Sequence, residues 1–281
     1  MTMISEKRDR VILVAILVLV SAGLYLVTLS SGFVSDDSFQ VLKNEWIRSF
    51  GNIPSAFLSP AWAFLDEEVA NNYYRPFMHL YYMLAYKLSG LEPWGFHAVN
   101  VLLHTLNTVM VFFVASKVAK EAGQDAGNEP YAHSNFVAFF AALLFSVNPI
   151  NTEVVAWVAS VPELSTTFFL LLSLYLFINE KRYLSALFFL CALLSKETGA
   201  VLLPLLFAFD LVVRREPIAP LKRWFLRYWP YGVSVVIYSA LRLNAMGGVV
   251  PNKPDVKLLS NFDFLLNILP LTFEYLKNLA V

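Results

Sequence analysis

Cysteine is nearly absent from this chain. The single Cys191 lies inside an apolar run, which excludes an intramolecular disulfide framework and suits a place in helix packing. Charge is scarce as well: 15% of the 281 residues are Asp, Glu, Lys or Arg, and each sign numbers 21. Without a basic excess, composition gives no argument for nucleic acid. A Walker phosphate loop, a zinc-ligand spacing, a Ser-His-Asp order and a Gly-x-Gly-x-x-Gly fingerprint are all missing. Those absences exclude the chemistries most readily read from short motifs.

What remains is apolar. Hydrophobic residues make up 58% of the chain, and the mean hydropathy is +0.58. Soluble domains hold about 45–50% apolar and about 25% charged residues. The expectation is an all-α polytopic membrane protein. The first apolar stretch, 11–29, follows Lys7, Arg8 and Arg10. It exceeds a signal-peptide core of about 7–15 residues, and Ser30-Ser31-Gly32-Phe33 is a poor cleavage site, so it reads as a retained anchor starting in the cytoplasm.

Further spans are expected at 96–118, 136–147, 164–178, 183–194, 199–213 and 231–243, giving about seven helices. Residues 1–10 form a cytoplasmic N-terminus and 11–245 the membrane module. A large first outer loop, 30–95, contains two short amphipathic helices at 36–47 and 53–65 and an apolar stretch at 76–88. Residues 246–281 read as an outer loop and the start of a further membrane segment. That segment ends without a polar cap, as a truncated one would. Each expected cytoplasmic turn carries Lys or Arg, so the positive-inside rule holds at every crossing.

Ionisable groups near or within such spans are costly, and each is a functional hypothesis by default. Asp36 and Asp37 stand together just beyond the first span. A partly desolvated carboxylate there suits general-base work on a hydroxyl; capping of the next helix is the alternative. Arg75, in Asn72-Tyr73-Tyr74-Arg75-Pro76, offers a fork of donors to phosphate or carboxylate. His97, Asn100, His104 and Asn107 share one helical face and fit interhelical hydrogen bonding or ligand contact. Glu153, Lys196, Glu197 and Arg242 are placed by the same topology on the outer side. Lys196 either pairs with Glu197 or points at a substrate phosphate. Asp210 and Arg214, four apart at a cytoplasmic helix end, read as an ordinary ion pair.

Several motifs then combine. They are Phe33-Val34-x-Asp36-Asp37, Tyr74-Arg75-Pro76, Gly95-Phe96-His97-x-x-Asn100-x-x-x-His104-x-x-Asn107, Asn148-Pro149-Ile150-x-x-Glu153-x-x-Ala156-Trp157-Val158 and Leu194-Ser195-Lys196-Glu197-Thr198. In this order they resemble the membrane region of GT-C glycosyltransferases, most of all the transmembrane-and-tetratricopeptide-repeat O-mannosyltransferases and their bacterial relatives. The resemblance implies a polyprenyl-phosphate sugar donor, an acceptor hydroxyl on a protein or glycan, and transfer on the non-cytoplasmic face of a bacterial plasma membrane or the endoplasmic reticulum. It implies Asp36 as catalytic base with Asp37 beside it, and Arg75, Lys196 and Arg242 around the donor phosphate. Glu153, Glu197, His97 and His104 would line the cavity toward acceptor or metal; some GT-C enzymes use a divalent metal and others do not. No tetratricopeptide repeats follow. Asn148-Pro149 stands where His-Pro is common, and Val161-Pro162-Glu163 where many relatives carry a basic residue; both departures bear on sugar specificity. A non-catalytic GT-C-like scaffold and a transporter are the alternatives, although no pair of related halves supports the latter.

Overall fold

A computed structural model describes residues 2–65, 73–124, 131–217, 220–247 and 270. The expected segment 264–281, apart from Pro270, and Asn72 of the Arg75 motif lie outside the described residues. The chain divides into two compact units, Met1–Val249 and Val250–Val281. All that follows concerns the first.

Ten α-helices make up the described architecture: α1 (Thr2–Tyr25), α2 (Ile53–Leu58), α3 (Pro76–Ser89), α4 (Pro93–Gln124), α5 (Tyr131–Val147), α6 (Asn151–Ala156), α7 (Val161–Ile178), α8 (Arg182–Ser195), α9 (Leu202–Ala208) and α10 (Leu221–Met246). No strand occurs among the described residues. Three stretches are long and apolar enough to cross a membrane: Arg8–Ser30, Pro93–Ala122 and Val158–Ile178. Ser134–Val147 and Arg182–Ser195 are shorter apolar helices.

The surface is apolar where that of a soluble bundle is polar, and small polar residues join the apolar core. Leu19, Leu144, Val212 and Val236 are all more than 60% exposed, while Ser21, Asn107, Thr108, Ser165, Ser173, Ser185 and Ser195 are completely buried. Apolar outer faces suit lipid, and small polar residues inside let helices approach and hydrogen-bond. Ser173 and Ser185 show the device. Each hydroxyl donates to the other's carbonyl at 2.7 Å, and the Tyr231 hydroxyl donates to Ser185 Oγ at 2.7 Å. One knot thus joins α7, α8 and α10.

Helix α4 is the spine, packed by α1, α3, α5 and α7. Its polar stripe is spent on neighbours. Asn100 Nδ2 donates to the Trp157 carbonyl at 2.8 Å, and Asn107 Nδ2 donates to the Leu164 carbonyl at 3.0 Å. His104 lies 3.3 Å from the Ser146 carbonyl, with its ring stacked on Phe145. The interhelical reading of the stripe therefore holds for these three residues.

The first outer loop differs from the expected pair of amphipathic helices. Residues 36–65 form a wide turn (Ser38–Leu42), two 3₁₀ turns (Glu45–Arg48, Phe50–Asn52), the short α2 and a bend. Gly51, Asn52, Pro54 and Pro60 interrupt any longer helix. Tertiary hydrogen bonds hold the loop instead. The buried imidazole of His79 on α3 lies 3.2 Å from Asn44 Nδ2 and 3.0 Å from the Ala61 carbonyl. Since Asn44 Nδ2 can only donate, Nδ1 accepts and Nε2 carries the proton. Two further differences concern helix ends. Helix α4 continues to Gln124 and α5 begins at Tyr131, so both helices extend beyond the expected spans 96–118 and 136–147. The expected span 199–213 breaks into a 3₁₀ turn (Glu197–Val201), α9 and a wide turn (Phe209–Val213).

Candidate functional site

The acidic pair is divided by the fold. Ser35 sits in the left-handed region with φ +49°, a cost of about 1 kcal/mol or more for a residue with a Cβ. That kink turns the next two residues in different directions. Asp37 is fully buried; its Oδ2 accepts from the Val34 N–H at 3.0 Å and its Oδ1 from the Ala159 N–H at 2.8 Å. Burial pushes the Asp37 carboxyl above its ordinary value, against the two N–H donors that lower it. Asp36 stays half-buried, and its side chain has only a long 3.4 Å contact from the Ser35 hydroxyl. One carboxylate fastens the loop to the start of α7; the other remains accessible.

The cations are held one by one. Arg75 ends the first loop and grips Glu197 with two donors, Nη2 to Oε1 at 3.0 Å and Nε to Oε2 at 3.3 Å. It also covers the Tyr73 ring at 4.4 Å. Burial acts to raise the Glu197 carboxyl, but the Arg75 guanidinium, a backbone N–H and the Lys196 charge together outweigh it and hold the group below the ordinary carboxylate value. Lys196 does not pair with its sequence neighbour Glu197. Its Nζ meets Glu163 Oε1 at 2.6 Å, reaching across from the end of α8 to the first turn of α7. Gly199 makes this geometry possible. A Cβ there would lie 2.9 Å from the Ala192 backbone, so only glycine lets the 197–201 turn press against α8.

Two buried tyrosines connect these groups. The Tyr82 hydroxyl on α3 donates to Gln40 Oε1 at 3.0 Å, and the charges of Asp37, Glu163, Asp36 and Arg75 all act on it. Tyr238 on α10 is acted on by Arg242, Glu197 and Arg75. Arg242 Nη1 lies 3.4 Å from the Tyr238 hydroxyl. Asp36, Asp37, Glu163 and Arg75 thus share the surroundings of Tyr82, and Arg75, Glu197 and Arg242 those of Tyr238. His97 is buried beside Asp37 against the backbone of Gly32, Ser31 and Ala156, with no hydrogen bond of good geometry to either ring nitrogen. His104 lies further along α4, behind Tyr25 and Phe145. Glu153 is exposed on the short α6, with no side-chain ion pair or hydrogen bond among the described residues. Among the described residues, no three His, Cys, Asp or Glu side chains converge in a way that could hold a metal ion.

This neighbourhood has the parts of a group-transfer site: an accessible carboxylate, cations within reach, and rigid supports. The curated comparisons then give it a context. The chain is 32% identical over 204 residues to human protein O-mannosyl-transferase TMTC2, covering 68% of this chain and 23% of that protein. It is 29% identical over 207 residues to protein O-mannosyl-transferase F38B6.6 of Caenorhabditis elegans, covering 72% of this chain and 28% of that protein. This chain is a homologue of the protein O-mannosyl-transferases. It spans about a quarter of the length of these homologues. No family model and no solved structure matches it.

Sequence reasoning passed over three members of the homologous segment's polar neighbourhood. Glu163 was legible: a carboxylate at the head of an apolar helix is a functional candidate by default. Tyr82 and Tyr238 carried no such signal, because a tyrosine in an apolar helix is ordinary until its neighbours are known.

Proposed function

We propose that this chain is the membrane module of a glycosyltransferase that moves a mannose-like sugar from a polyprenyl-phosphate donor to an acceptor hydroxyl on the non-cytoplasmic face. Asp36 takes the proton of the acceptor hydroxyl. The freed oxygen attacks the anomeric carbon from the side opposite the phosphate. The bond from that carbon to the phosphate oxygen breaks, and the lipid phosphate leaves with the bonding pair, inverting the configuration. Cations matter most as charge develops on the departing phosphate. Arg75, Lys196 and Arg242 supply them. Because Glu197 and Glu163 already hold two of these cations, the phosphate enters by competing with carboxylates, which favours a doubly charged leaving group over a weakly charged ground state.

The observation that carries this reading is the division of the acidic pair. Asp37 is consumed by backbone hydrogen bonds, whereas Asp36 remains accessible in the same electrostatic neighbourhood as Arg75. The names of the homologues supply the reaction class. The test is a transfer assay with a polyprenyl-phosphate mannose donor on membranes holding the wild-type chain or Asp36→Asn. The expected loss is at least about 100-fold, with insertion and melting unchanged. Undiminished transfer by Asp36→Asn would sink the base assignment. A membrane scaffold is the second reading, favoured by the two cation–carboxylate pairs, which equally cross-link α3, α7 and α8. It predicts wild-type protein that neither binds donor nor transfers sugar.

A further inference from the structure

The opposite end of the bundle has a cavity that glycosyl transfer does not use. Its volume is about 400 Å³, and its lining includes Arg182, Lys222, Arg223, Arg227, Glu180 and Phe177. Four cationic side chains face one carboxylate. Two of the cations are already engaged: Arg223 with Glu216 at 2.6 Å, and Arg227 with Glu180 at 3.2 Å and Asp210 at 2.8 Å. Arg182 and Lys222 have no carboxylate partner among the described residues. Arg182 donates to the Leu226 carbonyl at 3.2 Å, which fixes its guanidinium at the cavity while leaving its charge uncompensated.

The helix geometry adds to this charge. Arg182 is the first residue of α8 and Lys222 the second of α10, so two helix N-termini meet at the cavity. The positive ends of their dipoles favour an anion between them. The surroundings are greasy. Tyr183 is 59% and Leu184 42% exposed beside Arg182, where they line an adjoining recess, and Tyr183 packs on Trp229 with ring centroids 6.1 Å apart. Exposed aromatic rings beside cations are the pattern of a membrane interface. A soluble anion would gain nothing from that apolar rim, whereas an acyl chain would.

We infer that this cavity binds the phosphate of an anionic phospholipid, held by Arg182 and Lys222, with its acyl chains lying along Tyr183 and Leu184. Under the positive-inside reading this end faces the cytoplasm, the side on which basic pockets between helices collect anionic headgroups. The site is independent of sugar transfer.

Native mass spectrometry of the purified full chain in neutral detergent tests it, with dioleoylphosphatidylglycerol and dioleoylphosphatidylcholine offered at equal concentration. Wild-type protein is expected to retain the glycerol lipid about tenfold or more over the choline lipid. Arg182→Gln with Lys222→Gln is expected to bring the two lipids to parity, while Lys87→Gln, a cation elsewhere on the surface, leaves the preference intact. Should the double variant not fold, Lys222→Glu alone is expected to lower the preference, since its side chain is exposed and unpaired. Equal retention of both lipids by the wild type would overturn the inference, as would a preference surviving in the folded charge variants. Complete displacement of the glycerol lipid by inorganic phosphate would overturn it too, by marking the cavity as a site for free anions.

Discussion

The two ends of α4 treat charge in opposite ways. Near its start, around Asp36, Arg75 and Lys196 each pair with one carboxylate, and the Asp36 carboxylate is left accessible. Near its end, about 36 Å away at 1.5 Å per residue from His97 to Glu121, charges are meshed many to many. Arg214 meets Glu121 at 3.1 Å, Glu180 at 2.5 Å and Asp210 at 3.5 Å, and donates to the Ile178 carbonyl at 2.8 Å. Asp210 is fully buried and also takes Arg227 at 2.8 Å and the Tyr228 hydroxyl at 2.8 Å. The pair expected between Asp210 and Arg214 exists, but it is the longest link in the mesh. A mesh of this kind resists exchange, because no partner can leave without stranding several others. One-to-one pairs can open for an incoming anion. The first end can exchange partners, whereas the second clamps.

Four changes would break or sharpen that contrast. Arg214→Ala should have the largest effect, about 3 kcal/mol or more of lost stability, because carboxylates on three elements lose a shared partner. Thermal or denaturant unfolding in detergent measures it; a loss below the effect of a lone surface pair would mean the mesh is not a clamp. Asp37→Ala should cost about 3 kcal/mol, since two backbone N–H groups lose a charged acceptor. Asp37→Asn should recover part of this by keeping one acceptor, and a transfer assay should then show activity restored along with folding. Lys196→Gln should weaken donor binding about tenfold with little change in melting, as expected for an exchangeable pair. Unchanged donor affinity would assign the Lys196–Glu163 link to structure alone.

The smallest effect concerns pH. Glu197 titrates below its ordinary value in the folded chain, so its contribution to stability is present above about 4.5 and lost as pH falls through the lowered value. Asp37 titrates above its ordinary value, so its contribution is fully present below 3.8 and lost as pH rises through the raised value. Glu197→Gln should therefore flatten the acid side of a melting-against-pH curve, and Asp37→Asn should flatten the decline on its neutral side. If both variants move the curve in the same direction, one of the two environments is wrongly assigned.

Much of this was legible before any coordinates. The apolar runs announce the helices, and the 3, 4, 3 spacing of His97, Asn100, His104 and Asn107 announces one polar face. A single sequence gives faces but not neighbours, and the limits follow from that. Lys196 and Glu197 are adjacent in the chain, so pairing them was the natural alternative to a phosphate contact. Extended backbone at Lys196 (φ −158°, ψ 141°) sends their side chains apart instead, each to a different helix. The roles of Asp36 and Asp37 diverge for a similarly local reason, the left-handed turn at Ser35, which no propensity marks in advance. The loop 36–65 looked amphipathic because its apolar residues are frequent. Its Gly and Pro residues decided the outcome, and its apolar side chains reach the core from turns rather than helix faces.

The ties of the first loop also set a timetable for biogenesis. Asp37 finds Ala159, and Arg75 finds Glu197, in each case across 122 residues of chain. When the loop has been synthesised, neither partner yet exists. A carboxylate and a guanidinium must wait in water, or in the hands of a chaperone, until α7 and then α8 have been inserted. The loop can therefore close only in two ordered steps, and a protease site placed within it would report how far assembly has gone.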